Sequence, residues 1–425
     1  MKRKIFLLLV SVVLLGLSGC NQSAYGQVLQ SEIPRDTSPS VDQTDSAALV
    51  DGNNAFAFDL YQALRHTDGN LFFSPYSISL ALAMTYAGAR SETETEMASV
   101  LHFTLPQDRL HPAFNWLDLA LISRSETAKG QDSEGFRLHI ANAIWGQQGH
   151  DFLGGFLDVL GQNYGAGLRL LDFVNQPESS RVTINDWVSD ETEGKIKDLI
   201  PQGAITQWTR LVLTNAIYFN ASWLKPFNKD LTLDGTFHLV GGGNVTVPMM
   251  AQTEYFAYIG NANYQAVELL YDGQQLSMVI FMPNDGQFDV FEESLDADLV
   301  KEIIGNLQTS RIDLTMPKFS YESSFSLKQT LNSLVMEVAF NTDADFSGMD
   351  GVYDLYIQDV FHKAFVAVDE SRTEAAAASG VVGPPSATPP LPLQVTIDRP
   401  FIFLIRDIAT NTTIFIGRVL NPAEE

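Results

Sequence analysis

His362-Lys363-Ala364-Phe365-Val366-Ala367-Val368 is strand-like and runs directly into Asp369-Glu370-Ser371-Arg372-Thr373-Glu374-Ala375-Ala376-Ala377-Ala378-Ser379-Gly380. A proline-rich stretch follows, Pro384-Pro385-Ser386-Ala387-Thr388-Pro389-Pro390-Leu391-Pro392, before strand character resumes at Asp398-Arg399-Pro400-Phe401-Ile402-Phe403. About 30 residues without a core-forming period therefore separate two good strands. A loop that long inside a compact domain is usually functional.

Further strand-like runs lie at Phe136 to Trp145, Leu211 to Phe219, Leu276 to Met282 and Arg311 to Met316. Nearer the start, helical spacing covers Asn53 to Leu64. A second helix opens at Ser74-Pro75, where proline suits the first turn. A short helix begins at Ser91-Glu92-Thr93-Glu94, and Gly241-Gly242-Gly243 reads as a hairpin turn. Helices come early and strands late, with no βαβ alternation and no repeat. The expected class is α+β, built on large, mostly antiparallel sheets. No linker divides residues 51–425, which read as one domain.

The 425-residue chain is 45% hydrophobic and 18% charged, enough to bury a large core. Its 51 acidic residues against 26 basic ones give a net charge of −25. Such a surface repels phosphate backbones, so no nucleic-acid partner is expected. The only cysteine, Cys20, rules out a disulfide framework and any multi-cysteine metal site. Gly-x-x-x-x-Gly-Lys-Ser/Thr, Gly-x-Ser-x-Gly and His-Glu-x-x-His are absent, and the seven histidines show no pair at ligand spacing. A hydrolase or transferase reading therefore has no anchor in the motifs.

Met1-Lys2-Arg3-Lys4 is basic and Ile5 to Leu17 almost wholly apolar, too short to span a bilayer but right for a signal peptide. Leu17-Ser18-Gly19-Cys20 resembles the bacterial lipobox. That resemblance implies removal of residues 1–19 and lipidation of Cys20. It also implies an extracytoplasmic protein touching a bacterial membrane or cell surface through its N-terminal lipid alone. Residues 20–50, rich in Ser, Gln, Asp, Thr and Pro, read as a tether without helical or strand period.

The Thr-Glu-Ala-Ala-Ala-Ala-Ser segment, followed by Asp-Arg-Pro-Phe-Ile-Phe and Gly417-Arg418-Val419-Leu420-Asn421-Pro422, resembles the serpins. Asn70-Leu71-Phe72-Phe73-Ser74-Pro75, Ala141-Asn142-Ala143-Ile144-Trp145 and Thr214-Asn215-Ala216-Ile217-Tyr218-Phe219 stand in the family's order, as do Trp223 and His362-Lys363-Ala364. The resemblance covers roughly 51–425. It implies three β-sheets with eight or nine helices and an exposed reactive loop at about 370–397. It also implies a monomer that inhibits a serine protease as a suicide substrate, the cleaved loop inserting into the central sheet. The resemblance thus implies a protein that is not an enzyme and needs no cofactor or metal. A non-inhibitory serpin serving as a binding or structural protein is the alternative.

Insertion demands small, uncharged side chains on the buried face of the new strand, and strand side chains alternate faces. Thr373, Ala375, Ala377 and Ser379 meet that demand, while Glu374, Ala376 and Ala378 occupy the face where a carboxylate can meet water. Glu370 and Arg372 complete the hinge. At Arg372 the family's inhibitory members usually carry glycine, which would ease the backbone turn. Counting along the loop places the reactive bond at Ser386–Ala387 or Ala387–Thr388, since a proline after the bond resists serine proteases. Small residues there suit an elastase-like or subtilisin-like protease. The resemblance also assigns Ser74, Ser77, Asn215 and His362 to a shutter beneath the opening sheet, and Trp223, Lys318 and Glu370 to a breach at its top.

Overall fold

A computed structural model describes residues 25–127, 137–370 and 391–424. The chain begins with strand β1 (Gln27–Leu29) and helix α1 (Gln43–Leu64). Reading residues 20–50 as free of helix and strand is therefore corrected from residue 25 onward. The cause is burial that a polar composition conceals. Leu49 and Val50 pack into the core, and Arg35 donates to Asn115 and Asp118 at 2.8 and 2.6 Å.

Next come β2 (Leu71–Phe73), α2 (Pro75–Tyr86), α3 (Ser91–Val100), α4 (Gln107–Thr127), β3 (Arg137–Gln147) and α5 (Gly154–Tyr164). Ser74 caps α2, its Oγ accepting the Ser77 N–H at 3.1 Å with Pro75 in the first turn. Then follow β4 (Leu168–Leu171), α6 (Pro177–Glu191), β5 (Leu211–Asn220), β6 (Leu233–His238), β7 (Asn244–Gly260), β8 (Tyr264–Leu270) and β9 (Leu276–Pro283). The β6–β7 hairpin turns on Gly241, Gly242 and Gly243 at φ of 79, 98 and 96°, a region that favours glycine. The remainder is α7 (Phe288–Ser294), α8 (Ala297–Gly305), β10 (Gln308–Pro317), β11 (Phe319–Ser326), α9 (Lys328–Ser333), α10 (Ser347–Asp350), β12 (Ile357–Val368), β13 (Leu393–Thr396), β14 (Phe401–Asp407) and β15 (Thr413–Val419). Among the described residues there are ten α-helices rather than eight or nine, because short segments such as α10 add to the number. No helix among them is long and apolar enough to cross a membrane.

The strands form a six-stranded sheet in the order β1-β4-β3-β5-β12-β11 and a nine-stranded assembly, β13-β10-β7-β8-β9-β14-β15-β2 with β6 paired to β7. The two smaller sheets implied by the family are joined here through the long β7. The six-stranded sheet is buried on both faces. Along β5, Leu211, Leu213, Ile217 and Phe219 point into the main core, while Val212 and Ala216 face a second core. Trp145, Ile184, Trp187 and Val188 build that second core around α6.

The two ends of the chain are knitted together. Asn70 donates to the Asn421 carbonyl at 2.8 Å and accepts the Leu420 and Asn421 N–H groups at 2.8 and 3.1 Å. Gly417 is required because a Cβ there would fall 2.2 Å from the Phe403 ring. Arg418, only 3% exposed, donates to Glu292 at 3.0 Å and to the carbonyls of Arg65, Thr67 and Gly69 at 2.6, 2.6 and 2.8 Å. Tyr61 donates to the same Glu292 oxygen at 2.7 Å. Arg418→Met should leave Glu292 buried without its cationic partner, costing about 3–5 kcal/mol in urea unfolding. The double change Arg418→Met with Glu292→Met should recover part of that loss.

Candidate functional site

Strands β5 and β12 are neighbours running in the same direction, paired from Ile357↔Leu211 to Phe365↔Tyr218. Beyond that pair β12 continues to Val368, and Phe219, Trp223, Tyr271, Val366, Val368 and Asp369 line a small cavity there. The sheet thus has a parallel seam whose ladder ends before β12 leads into the loop. Arg372, Thr373, Glu374, Ala375, Ala376, Ala377, Ala378 and Ser379 lie outside the described residues, as do Ser386, Ala387, Thr388 and Cys20. The chain is described again at Leu391, and β13 pairs in parallel with β10 at the edge of the other sheet.

At the loop end, Glu370 is 4% exposed and held from several sides. Its carboxylate meets Lys318 Nζ at 2.7 Å and accepts the Thr232 hydroxyl at 2.7 Å. Its carbonyl accepts the Phe227 N–H at 2.8 Å, and Trp223 Nε1–H donates to the Asp369 carbonyl at 2.9 Å. Burial pushes the Glu370 carboxyl up, but the Lys318 and Thr232 hydrogen bonds outweigh it and hold the group below its ordinary range. Trp223 stacks on Tyr271, ring centroids 4.7 Å apart. Trp223, Lys318 and Glu370 are thus brought together, and Thr232 joins them. Nothing in the spacing of the sequence singles out Thr232.

Midway down the seam, Asn142, Asn215 and His362 stand in one row, directly opposite one another across β3, β5 and β12. The Ser74 N–H donates to His362 Nε2 at 3.2 Å. The proton of the neutral ring therefore sits on Nδ1, which donates to Asn215 Oδ1 across the seam. Asn215 Nδ2 then donates to Ser77 Oγ at 2.6 Å and to Asn142 Oδ1 at 2.5 Å. Ser74 Oγ donates to the Ile414 carbonyl at 2.7 Å, tying the cluster to β15. Ser74, Ser77, Asn215 and His362 form one buried polar network with Asn142 as its fifth member. Asn142 stood in a quoted motif, but its place in the row depends on cross-strand register.

Burial lowers the His362 ring to about 3, although its bond to Asn215 acts the other way. Burial likewise lowers His111 to about 4. Both folded values lie below the unfolded one, about 6.5, so the stability each neutral ring contributes is complete above pH 6.5. It is lost as pH falls toward the folded values. Unfolding midpoints in urea should fall steadily from pH 7 to pH 5. Replacing His362 with Asn should flatten that dependence by about 2 kcal/mol over the interval. Parallel pH profiles for the two proteins would contradict the assignment.

A family model described as Serpin (serine protease inhibitor) matches residues 51–422. An uncharacterized serpin-like protein of Thermococcus kodakarensis is 36% identical, over 98% of this chain and 99% of its own length. Human serpin B3 is 37% identical over 88% of this chain and all of its own, and human leukocyte elastase inhibitor is 36% identical over 88% and 99%. The structure of uncleaved ovalbumin superimposes with a TM-score of 0.79 at 23% identity, covering 88% of this chain and 100% of that one. With an α+β fold of this topology and a family match over nearly the whole body, the chain belongs to the serpin family.

Proposed function

We propose that this serpin is a single-use inhibitor of an extracytoplasmic serine protease. The protease attacks the loop at Ser386–Ala387 or Ala387–Thr388 and forms an acyl ester through its own serine. Insertion of the released loop then traps it. The observation that carries this reading is the parallel β5–β12 seam, whose ladder ends at Phe365 short of the point from which the loop departs. A segment leaving the end of β12 and folding back beside it runs antiparallel to β12. Placed in the seam, it is antiparallel to β5 as well. One parallel interface becomes two antiparallel ones, which are slightly more stable per residue. About ten new ladder hydrogen bonds, at roughly 0.5–1.5 kcal/mol net each, supply on the order of 10 kcal/mol. That is comparable with the stability of a whole domain.

The small residues near the reactive bond favour an elastase-like or subtilisin-like protease, and relatives named leukocyte elastase inhibitor point the same way. The Trp223–Asp369 and His362–Asn215 hydrogen bonds join the β5 side to β12 beforehand, and the second must break as a strand enters. Arg372 favours one other reading, a non-inhibitory serpin whose loop is cleaved without inserting. Incubation with elastase distinguishes them. An SDS-resistant complex supports inhibition, whereas clean cleavage without a complex supports the alternative. We further propose that the protein is held outside the cytoplasm by lipid on Cys20. Labelled palmitate should enter the wild type and not Cys20→Ser, and equal labelling would overturn that.

The alternating hinge yields a sharper test. Thr373→Arg would drive a charge toward the core during insertion, whereas Glu374→Arg keeps its charge in water. Thr373→Arg should therefore raise the number of inhibitor molecules consumed per protease trapped by about tenfold or more, the effect of an unpaired buried charge costing several kcal/mol. Glu374→Arg should change that ratio little. Equal shifts in the two variants would rule out insertion in this register.

A further inference from the structure

The turn after β3 carries His150, and the segment from α10 to β12 carries Asp350 and Asp354. The two segments are already joined by the Leu153 N–H, which donates to the Met349 carbonyl at 2.7 Å. His150 Nδ1 lies 3.9 Å from Asp350 Oδ2, beyond hydrogen-bond reach. One ligand atom from each of His150, Asp350 and Asp354 falls within 4.8 Å of the others. The Asp350 side chain is 2% exposed. Its Oδ1 accepts the Val352 N–H at 2.9 Å, but the buried Oδ2 has no hydrogen-bond partner. Buried carboxylate oxygens are rarely left so, and one aimed at an imidazole and a second carboxylate asks for a cation.

We propose that His150, Asp350 and Asp354 form a divalent transition-metal site that takes Zn²⁺, with a fourth position left for water. One imidazole and two carboxylates suit Zn²⁺ rather than the oxygen-only shells of Ca²⁺ and Mg²⁺. Tetrahedral ligand atoms at about 2.0–2.2 Å from zinc stand roughly 3.3–3.6 Å apart, so the 3.9 Å His150–Asp350 separation needs to close by a few tenths, and separations of up to 4.8 Å require exposed Asp354 to swing inward by about 1 Å. Exposed Asp354 leaves the ion a path from solvent. Sequence spacing could not reveal these ligands, which come from turns on either side of the β5 strand.

The placement gives the site a purpose that rests on the proposed inhibitory function. Gly146 lies opposite Leu211, and Leu211 opposite Ile357, so the ligands cluster where β5 and β12 begin, at the far end from the loop. His150 follows β3 on one side of the seam, and the two aspartates precede β12 on the other. A bound ion ties the two halves together and resists the last stretch of insertion.

Isothermal titration of the full chain with ZnCl₂ should show a site that Asp354→Asn and His150→Gln each weaken by about tenfold or more. His102→Gln, at another histidine–carboxylate pair, should leave it intact. Asp354 is exposed, so its variant folds as the wild type does. Absence of Zn²⁺ binding, or equal affinity in wild type and Asp354→Asn, overturns the site. With elastase, Zn²⁺ should raise the inhibitor consumed per protease trapped in the wild type and not in Asp354→Asn. A ratio unmoved by Zn²⁺ overturns the seam lock. No SDS-resistant complex with or without Zn²⁺ overturns the inhibitory reading instead, while the titration still decides the site.

Discussion

Two buried strands lying side by side in the same direction, with hydrogen bonds that stop short of one end, are the constraint around which this molecule is arranged. β5 and β12 have their ladder broken between Ile357 and Val360 and ended at Phe365. The side-chain hydrogen bonds that cross the seam are polar contacts that can be exchanged. The loop end is fastened by Trp223 to Asp369 and Phe227 to Glu370, and the middle by one imidazole–amide bond. Apolar packing covers both faces of the seam, β5 and β12 sharing the main core on one face and Val212, Ala216 and Phe361 the second core on the other.

That division explains why so many polar side chains are buried at 0% exposure beside the sheet: Ser74, Ser77, Asn215 and His362. A buried polar network is stable only when every member is satisfied. Here the partners come from α2, β3, β5, β12 and β15, so a single row of side chains couples the seam to the helix behind it. A hydrophobic row would pack as well but would give an incoming strand nothing to exchange. The neutral state of His362 is essential, since Nε2 must accept the Ser74 N–H.

Much of this was legible in the sequence because it is local. The Ser74-Pro75 helix start and the triple-glycine hairpin each follow from neighbouring residues. Ser77, Asn215 and His362 were named only through the family resemblance, because their meeting depends on cross-strand register. Asn142 and Thr232 escaped for the same reason. The polar run before Val50 misled, since Arg35 and Asp45 are paired with side chains far along the chain. Composition cannot distinguish a solvated polar residue from a partnered one.

The central claim is that the intact seam is unfinished and that the loop completes it. Thermal unfolding of the intact protein should be compared with that of protein cut once within residues 371–390 by elastase, the single cut verified by mass. The account predicts that the cut form unfolds higher by about 10 °C or more, in line with a gain on the order of 10 kcal/mol. A midpoint equal to or below that of the intact protein would contradict it.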